Sequence, residues 1–196
     1  MRIFFIATVV LLLSSCSDRG SAPDKNGPKA LGALAERNVS PTEQQIEDFG
    51  ELANYVGMTM KGAPAGEGAE TFRDVQKWEW ALGGSAILIR HAFKDGSYGG
   101  NTYVYKDPKT NTLTYVYITN SGFHTVGEMR SIEGGWVAEE EVFGQGDVTR
   151  VRSTAKLNDD MSTSMVSEYL KAGEWVPGHA FEYKPTNDLL PALKPK

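Results

Sequence analysis

The chain has 196 residues, 40% of them hydrophobic and 23% charged, which is enough for one domain with a sizeable core. A net charge of -5 and the lack of a basic stripe argue against a nucleic-acid partner. The single cysteine rules out a disulfide within a monomer. Aromatics at 10% and 21 glycines favour a β-rich domain over a helical bundle.

Met1 and Arg2 open the chain with positive charge, and residues 3–13 form an apolar run too short for a stable membrane span. The run ends in Leu13-Ser14-Ser15-Cys16, which resembles the bacterial lipobox. The resemblance implies a diacylglycerol on the Cys16 thiol, cleavage before Cys16 and acylation of the new amine. Each buried CH₂ of such chains contributes about 0.8 kcal/mol to anchoring. The other reading is an ordinary secretory signal with an incidental cysteine. By the same resemblance, Ser17 in place of aspartate implies the periplasmic face of the outer membrane. Four segments are expected: a signal peptide over 1–15, a lipidated flexible tether over 16–40, a barrel domain over 41–184 and a tail over 185–196. The tether is small, polar and turn-rich, with a short helix suggested over 30–37.

Ser40-Pro41-Thr42-Glu43 reads as a helix start, with Ser40 as cap and Glu43 closing a capping box. Ile46, Phe49, Leu52 and Ala53 then lie on one helical face for about three turns. Residues 55–61 read as a short strand and 62–70 as a loop. From there, segments of period two recur with a turn signal roughly every ten residues. They cover 71–82, 85–94, 100–106, 112–120, 123–132, 136–143, 148–157, 162–170 and 174–183. Gly83-Gly84, Asp95-Gly96, residues 107–111, Gly134-Gly135, residues 144–147, residues 158–160 and Lys171-Ala172-Gly173 separate them. Gly83-Gly84 reads as a bend in a long ribbon at a barrel corner. A meander this long exposes two edges unless it curls shut. The fold class expected is mainly β: an antiparallel up-and-down β-barrel of about 8–10 strands with one capping N-terminal helix. The tail at Leu189-Leu190-Pro191 is left undecided between free and packed.

Trp78, Trp80 and Leu82-Gly83-Gly84, then Asp95-Gly96 and Tyr98-Gly99-Gly100, then Gly122-Phe123-His124-Thr125 and Gly173-Glu174-Trp175, form a pattern similar to the calycin superfamily of lipocalin-like and fatty-acid-binding-protein-like barrels. The resemblance covers roughly residues 55–184. It implies an internal cavity and a ligand it does not identify. The function expected is therefore a membrane-anchored cell-envelope lipoprotein, attached through acylated Cys16, whose barrel binds a small apolar or amphipathic molecule.

Candidate binding residues follow from parity. Tyr103, Tyr105, Leu113, Tyr115 and Tyr117 share a face if the loop is the five residues 107–111, with Tyr105 opposite Leu113 and Tyr103 opposite Tyr115. This face is either an amphipathic cavity wall or ordinary cross-strand packing. Trp80 belongs to the wall. Arg90 and His91 point to opposite faces, so at most one enters a cavity. Arg150 and Arg152 share a face, either as an interior anion clamp or as an exterior pair with Glu139, Glu140 or Glu141. His91, His124 and His179 show no metal-ligand spacing, and no cofactor is expected, although His124 or His91 could ligate haem. No nucleophile motif or phosphate loop occurs. Two further readings stay open: a barrel enzyme of isomerase or hydrolase type using His124 or His91, and an envelope interaction protein that binds no ligand.

Overall fold

A computed structural model describes residues 40–66 and 73–195. Cys16, the expected signal peptide, most of the expected tether and the helix suggested over 30–37 lie outside the described residues. No described helix is long and apolar enough to cross a membrane.

The domain opens with α1 (Glu43–Phe49) and a 3₁₀ turn (Gly50–Tyr55). Ten strands follow: β1 (Thr59–Pro64), β2 (Asp74–Ala81), β3 (Ala86–Phe93), β4 (Gly99–Lys106), β5 (Leu113–Thr119), β6 (His124–Ile132), β7 (Gly135–Phe143), β8 (Val148–Leu157), β9 (Thr163–Lys171) and β10 (Glu174–Pro185). Each pairs antiparallel with its sequence neighbours, and β1 pairs with β10, which closes the barrel. The architecture is the predicted one: a closed up-and-down barrel with one short N-terminal helix. Closure removes the two edges that would otherwise recruit another chain.

Local details depart from expectation. The capping box is Thr42 with Gln45 rather than Ser40 with Glu43. The Gln45 backbone donates to the Thr42 hydroxyl at 3.2 Å and Gln45 Oε1 accepts from the Thr42 backbone at 2.8 Å. The Gln45 amide also donates to the Gly83 carbonyl at 3.1 Å, tying the helix to the β2–β3 turn. Residues 55–61 do not form one strand, because the 3₁₀ turn runs to Tyr55 and β1 starts at Thr59. Gly83-Gly84 does not bend a continuous ribbon. It belongs to a hairpin turn, with β2 and β3 in register from Asp74↔Phe93 to Ala81↔Ala86.

Alternation along the ladder sets the inward face: Trp78 and Trp80 on β2, Ile87 and Ile89 on β3, Val104 on β4, Tyr115 and Tyr117 on β5. A ten-strand barrel is wider than an eight-strand one, whose own side chains just fill it. One half is filled with help from the helical segment. Phe49, Leu52 and Tyr55 are buried among Met60, Trp78 and Trp136. Tyr55 stacks on Trp78 at 4.8 Å and Phe49 meets Trp80 edge-on at 5.4 Å. Burying each such side chain stabilises the fold by about 1.5–3 kcal/mol. A cavity of about 10 Å³ lies in this half, beside Tyr55, Trp136 and Tyr183, a volume on the scale of one water. We call this the closed half.

The tail packs on the outer wall. The Lys194 backbone donates to the Gly96 carbonyl at 2.9 Å, and Leu193 approaches Gly99. Gly99 shares its outer row with Ala92 and Val75, both buried although they face away from the barrel interior.

Candidate functional site

The other half of the barrel carries polar and titratable side chains. Asp74 opens β2 and points inward, only 3% exposed. Its Oδ2 accepts from the Tyr183 hydroxyl at 3.0 Å and its Oδ1 meets His91 Nδ1 at 2.9 Å. His91 Nε2 is 2.6 Å from the Tyr117 hydroxyl, which is 2.7 Å from the Tyr98 hydroxyl. One chain of hydrogen bonds thus runs from Tyr183 near the apolar core to Tyr98 near the mouth.

Glycines make room for it. Gly62 lies directly opposite Tyr183 on the ladder, and a Cβ there would sit 2.7 Å from the Tyr183 Cδ1. A Cβ on Gly100 would sit 2.6 Å from the Tyr117 Cε2. The rings occupy the space a side chain would fill.

Two further groups face the same interior. Glu140 Oε2 accepts from Tyr115 at 2.8 Å and from Thr125 at 2.5 Å. Burial raises its pKa above the usual carboxylate range, against the pull of those two donors. Glu140 Oε1 takes no hydrogen bond from a described residue. Across the barrel, His179 bonds to the Tyr169 hydroxyl and lies 3.2 Å from the Ser167 hydroxyl. Burial lowers the His179 imidazole below its ordinary range, and the nearby His91 adds to this while Asp74 opposes it. Burial also raises the phenols of Tyr98, Tyr117 and Tyr169, with the charge of Glu140 adding to each. These groups therefore lie within electrostatic reach of one another, and the tyrosines stay protonated as donors.

This half is open to solvent. Glu140, Val142, Ser153 and Tyr169 all point inward yet remain partly exposed, and His179 is exposed overall at the rim although both its ring nitrogens are covered by their bonds to Tyr169 and Ser167. Opposite them, Tyr98, Tyr117 and Phe123 pack together, with Tyr98–Phe123 centroids 6.4 Å apart and Tyr117–Phe123 6.1 Å. We call this partly exposed end of the barrel, with its aromatic flanks, a carboxylate in its wall and two histidines, the cup.

The structure brings together only part of the predicted set. Tyr115, Tyr117, Trp80 and His91 face inward. Tyr103 and Tyr105 do not. Lys106 pairs with Leu113, so Tyr105 lies opposite Thr114 and Tyr103 opposite Val116. The loop is one residue longer than expected, closed by the Asp107 backbone donating to the Thr112 carbonyl at 2.9 Å, with Asn111 in the left-handed region at φ 59. A one-residue slip flips a strand's side chains to the other face, and both tyrosines join an exposed outer band that includes Ile118, Val126 and Phe143. Arg90 points outward to Glu79, its Nε 2.9 Å from the carboxylate. Arg150 pairs with Glu139 at 2.5 Å and Arg152 with Glu168 at 2.6 Å, also on the outer wall, so neither forms an interior clamp. His124 is exposed and stacks on Phe143 at 5.0 Å, away from the cup. Among the described residues no group of three or more His, Cys, Asp or Glu side chains is placed to hold a metal ion.

Asp74, Glu140, His179 and Tyr169 were missed by sequence reasoning, though signals existed. Glu140 has the parity of Trp136 and Ala138, which makes the middle of Glu139-Glu140-Glu141 an inward residue. Pro177-Gly178 inside a strand marks a bulge, and the ladder does shift there, between Pro177 and Ala180, placing His179 beside Ser167.

A groove of about 680 Å³ also lies at the helical end, lined both by core residues such as Leu113, Met129 and Ala138 and by outer-wall residues such as Arg152 and Glu168. Arg152 and Glu168 already satisfy each other there. No protein-family model matches this chain, and no curated protein matches it.

Proposed function

We propose that the protein is a lipid-anchored cell-envelope protein with a calycin-like barrel, and that the open half of the barrel binds a small amphipathic molecule. One observation carries the binding reading: inward-facing Glu140, Tyr169 and His179 remain reachable from solvent above a buried hydrogen-bond chain. Polar groups inside a barrel cost free energy unless they are satisfied, and a solvated cup with few convergent polar groups and an apolar flank has the character of a small-molecule site. The enclosed cavity beside Tyr55 and Tyr183 is no larger than a water, which favours the open end as the place for an occupant.

Native mass spectrometry of the purified full chain tests the binding reading. A retained small molecule, lost on denaturation, supports it; an empty protein that no amphipathic compound stabilises overturns it. The anchor is tested separately by lipid labelling of the intact chain against its Cys16→Ala variant. Label on the first and none on the second is the expected result.

A second reading, proton transfer at the same cup, has one observation in its favour: the Asp74–His91–Tyr117–Tyr98 relay ends at a phenol near the mouth. A His91→Gln variant that keeps ligand binding but loses turnover of the identified ligand would establish it.

A further inference from the structure

We infer that the open half of the barrel selects a small organic ammonium ion, a primary amine carried on an apolar or aromatic body. The inference rests on the binding reading above and names the class of ligand.

The charge inventory of the cup leads to it. The inward carboxylates there are Asp74 and Glu140. Asp74 is answered by His91 on one oxygen and by Tyr183 on the other. Glu140 has no cationic partner: its Oε2 accepts from two hydroxyls and its Oε1 from no described residue. No arginine or lysine is among the described inward residues between the rim and the apolar core. Lys171, at the rim, is held 3.7 Å from Asp147, and Lys106 belongs to the closed half, 2.6 Å from Asp48. An anionic ligand would meet Glu140 with no arginine or lysine among the described inward residues to answer it. An ammonium group would supply the missing cation and donate to Oε1.

The flanks suit the same ligand. Tyr98, Tyr117 and Phe123 form one wall and Tyr169 stands across from them. Aromatic faces carry a negative quadrupole that attracts cations and packs well against an apolar body. The phenols that line the cup stay protonated, so none of them competes as an anion.

The test uses three probes that share a phenylethyl body: phenethylammonium, 2-phenylethanol and 3-phenylpropanoate. Calorimetric titration of the purified full chain at neutral pH, with NMR shifts read at the open end, compares them on the wild-type protein. The ammonium is expected to bind about tenfold or more tightly than the alcohol and the anion, as one charge-assisted hydrogen bond would give. Glu140→Gln is expected to erase that advantage, bringing the ammonium's affinity down to that of the alcohol. If the alcohol or the anion binds as well as the ammonium, the ligand class is wrong and the binding reading stands. If none of the three shifts the open-end resonances, the ammonium inference fails; the binding reading falls with it only if mass spectrometry also finds the protein empty. The comparison on wild-type protein decides the matter even if the variant does not fold.

Discussion

His91 and Tyr117 meet inside the barrel, Nε2 to hydroxyl at 2.6 Å, although they are not ladder partners. His91 sits opposite Gly100 and Tyr117 opposite Thr102. The contact exists because Gly100 offers no side chain, which lets the Tyr117 ring lie across it. Gly100→Ala would place a methyl 2.6 Å from that ring and against the Ile118 backbone. Overpacking of this kind typically costs about 1–3 kcal/mol. Urea unfolding should show the midpoint falling at unchanged slope.

Asp74 depends on the same contact network. His91→Leu would leave a buried carboxylate, its side chain 4% exposed, with Tyr183 as its remaining partner. Leaving a buried polar group short of a hydrogen-bond partner costs about 1–3 kcal/mol, and more for a charged one. The double variant with Asp74→Asn removes the charge and should recover part of the loss. A double-mutant cycle by denaturant unfolding measures that coupling, and simple additivity would show the pair to be unimportant.

Glu140 gives the fold a pH dependence of definite sign. Its carboxyl is raised in the folded protein by burial, so the folded state holds that proton more tightly than the unfolded chain. Stability from this group is therefore complete below the ordinary glutamate range, and falls as pH rises from about 4.5 through the raised value. Exposed carboxylates held low, such as Asp95 and Asp160, act in the opposite direction, losing stability as pH falls. The difference between wild type and Glu140→Gln isolates the Glu140 contribution. The wild type should lose stability relative to the variant as pH climbs through that window, measured by thermal melts at a series of pH values.

Tyr55 is buried and its hydroxyl has no hydrogen-bond partner among the described residues. Its ring does the packing, stacked on Trp78. Tyr55→Phe keeps the ring and deletes the orphan oxygen. Leaving such a group unsatisfied costs about 1–3 kcal/mol, so the variant should match or exceed wild-type stability in calorimetry.

The barrel itself was legible in the sequence because its turns are written in glycine, aspartate and asparagine at short intervals. Asp95-Gly96 and Lys171-Ala172-Gly173 mark hairpins that the structure contains. Trp78 and Tyr115 were assignable to the interior by alternation alone. The register of one hairpin was not, since Asp107 to Thr112 closes with four intervening residues rather than the count that places Tyr103 inside. The candidate site was the least legible part. Asp74 stands 17 positions from His91, 43 from Tyr117 and 109 from Tyr183, and parity within a single strand cannot reveal such convergence. Glu140 was hidden in a run of three glutamates, where charge draws attention outward while alternation turns the middle one in. Arg150 and Arg152 erred toward interest for the opposite reason, since a paired cation on an outer wall reads the same in sequence as one aimed at a ligand.

The pairing of β1 with β10 has a consequence for how the chain is made. The hydrogen bond from Tyr183 to Asp74 joins residues 109 positions apart, and β10, which closes on β1, is the barrel strand furthest from it along the chain. Until Glu174–Pro185 arrives, every earlier hairpin can form but the sheet keeps two open edges. Loop closure of that span comes late, and topologies rich in distant pairings fold slowly. A chain shortened before β10 would lose closure itself rather than one strand's worth of packing, and its exposed edges would recruit neighbouring chains.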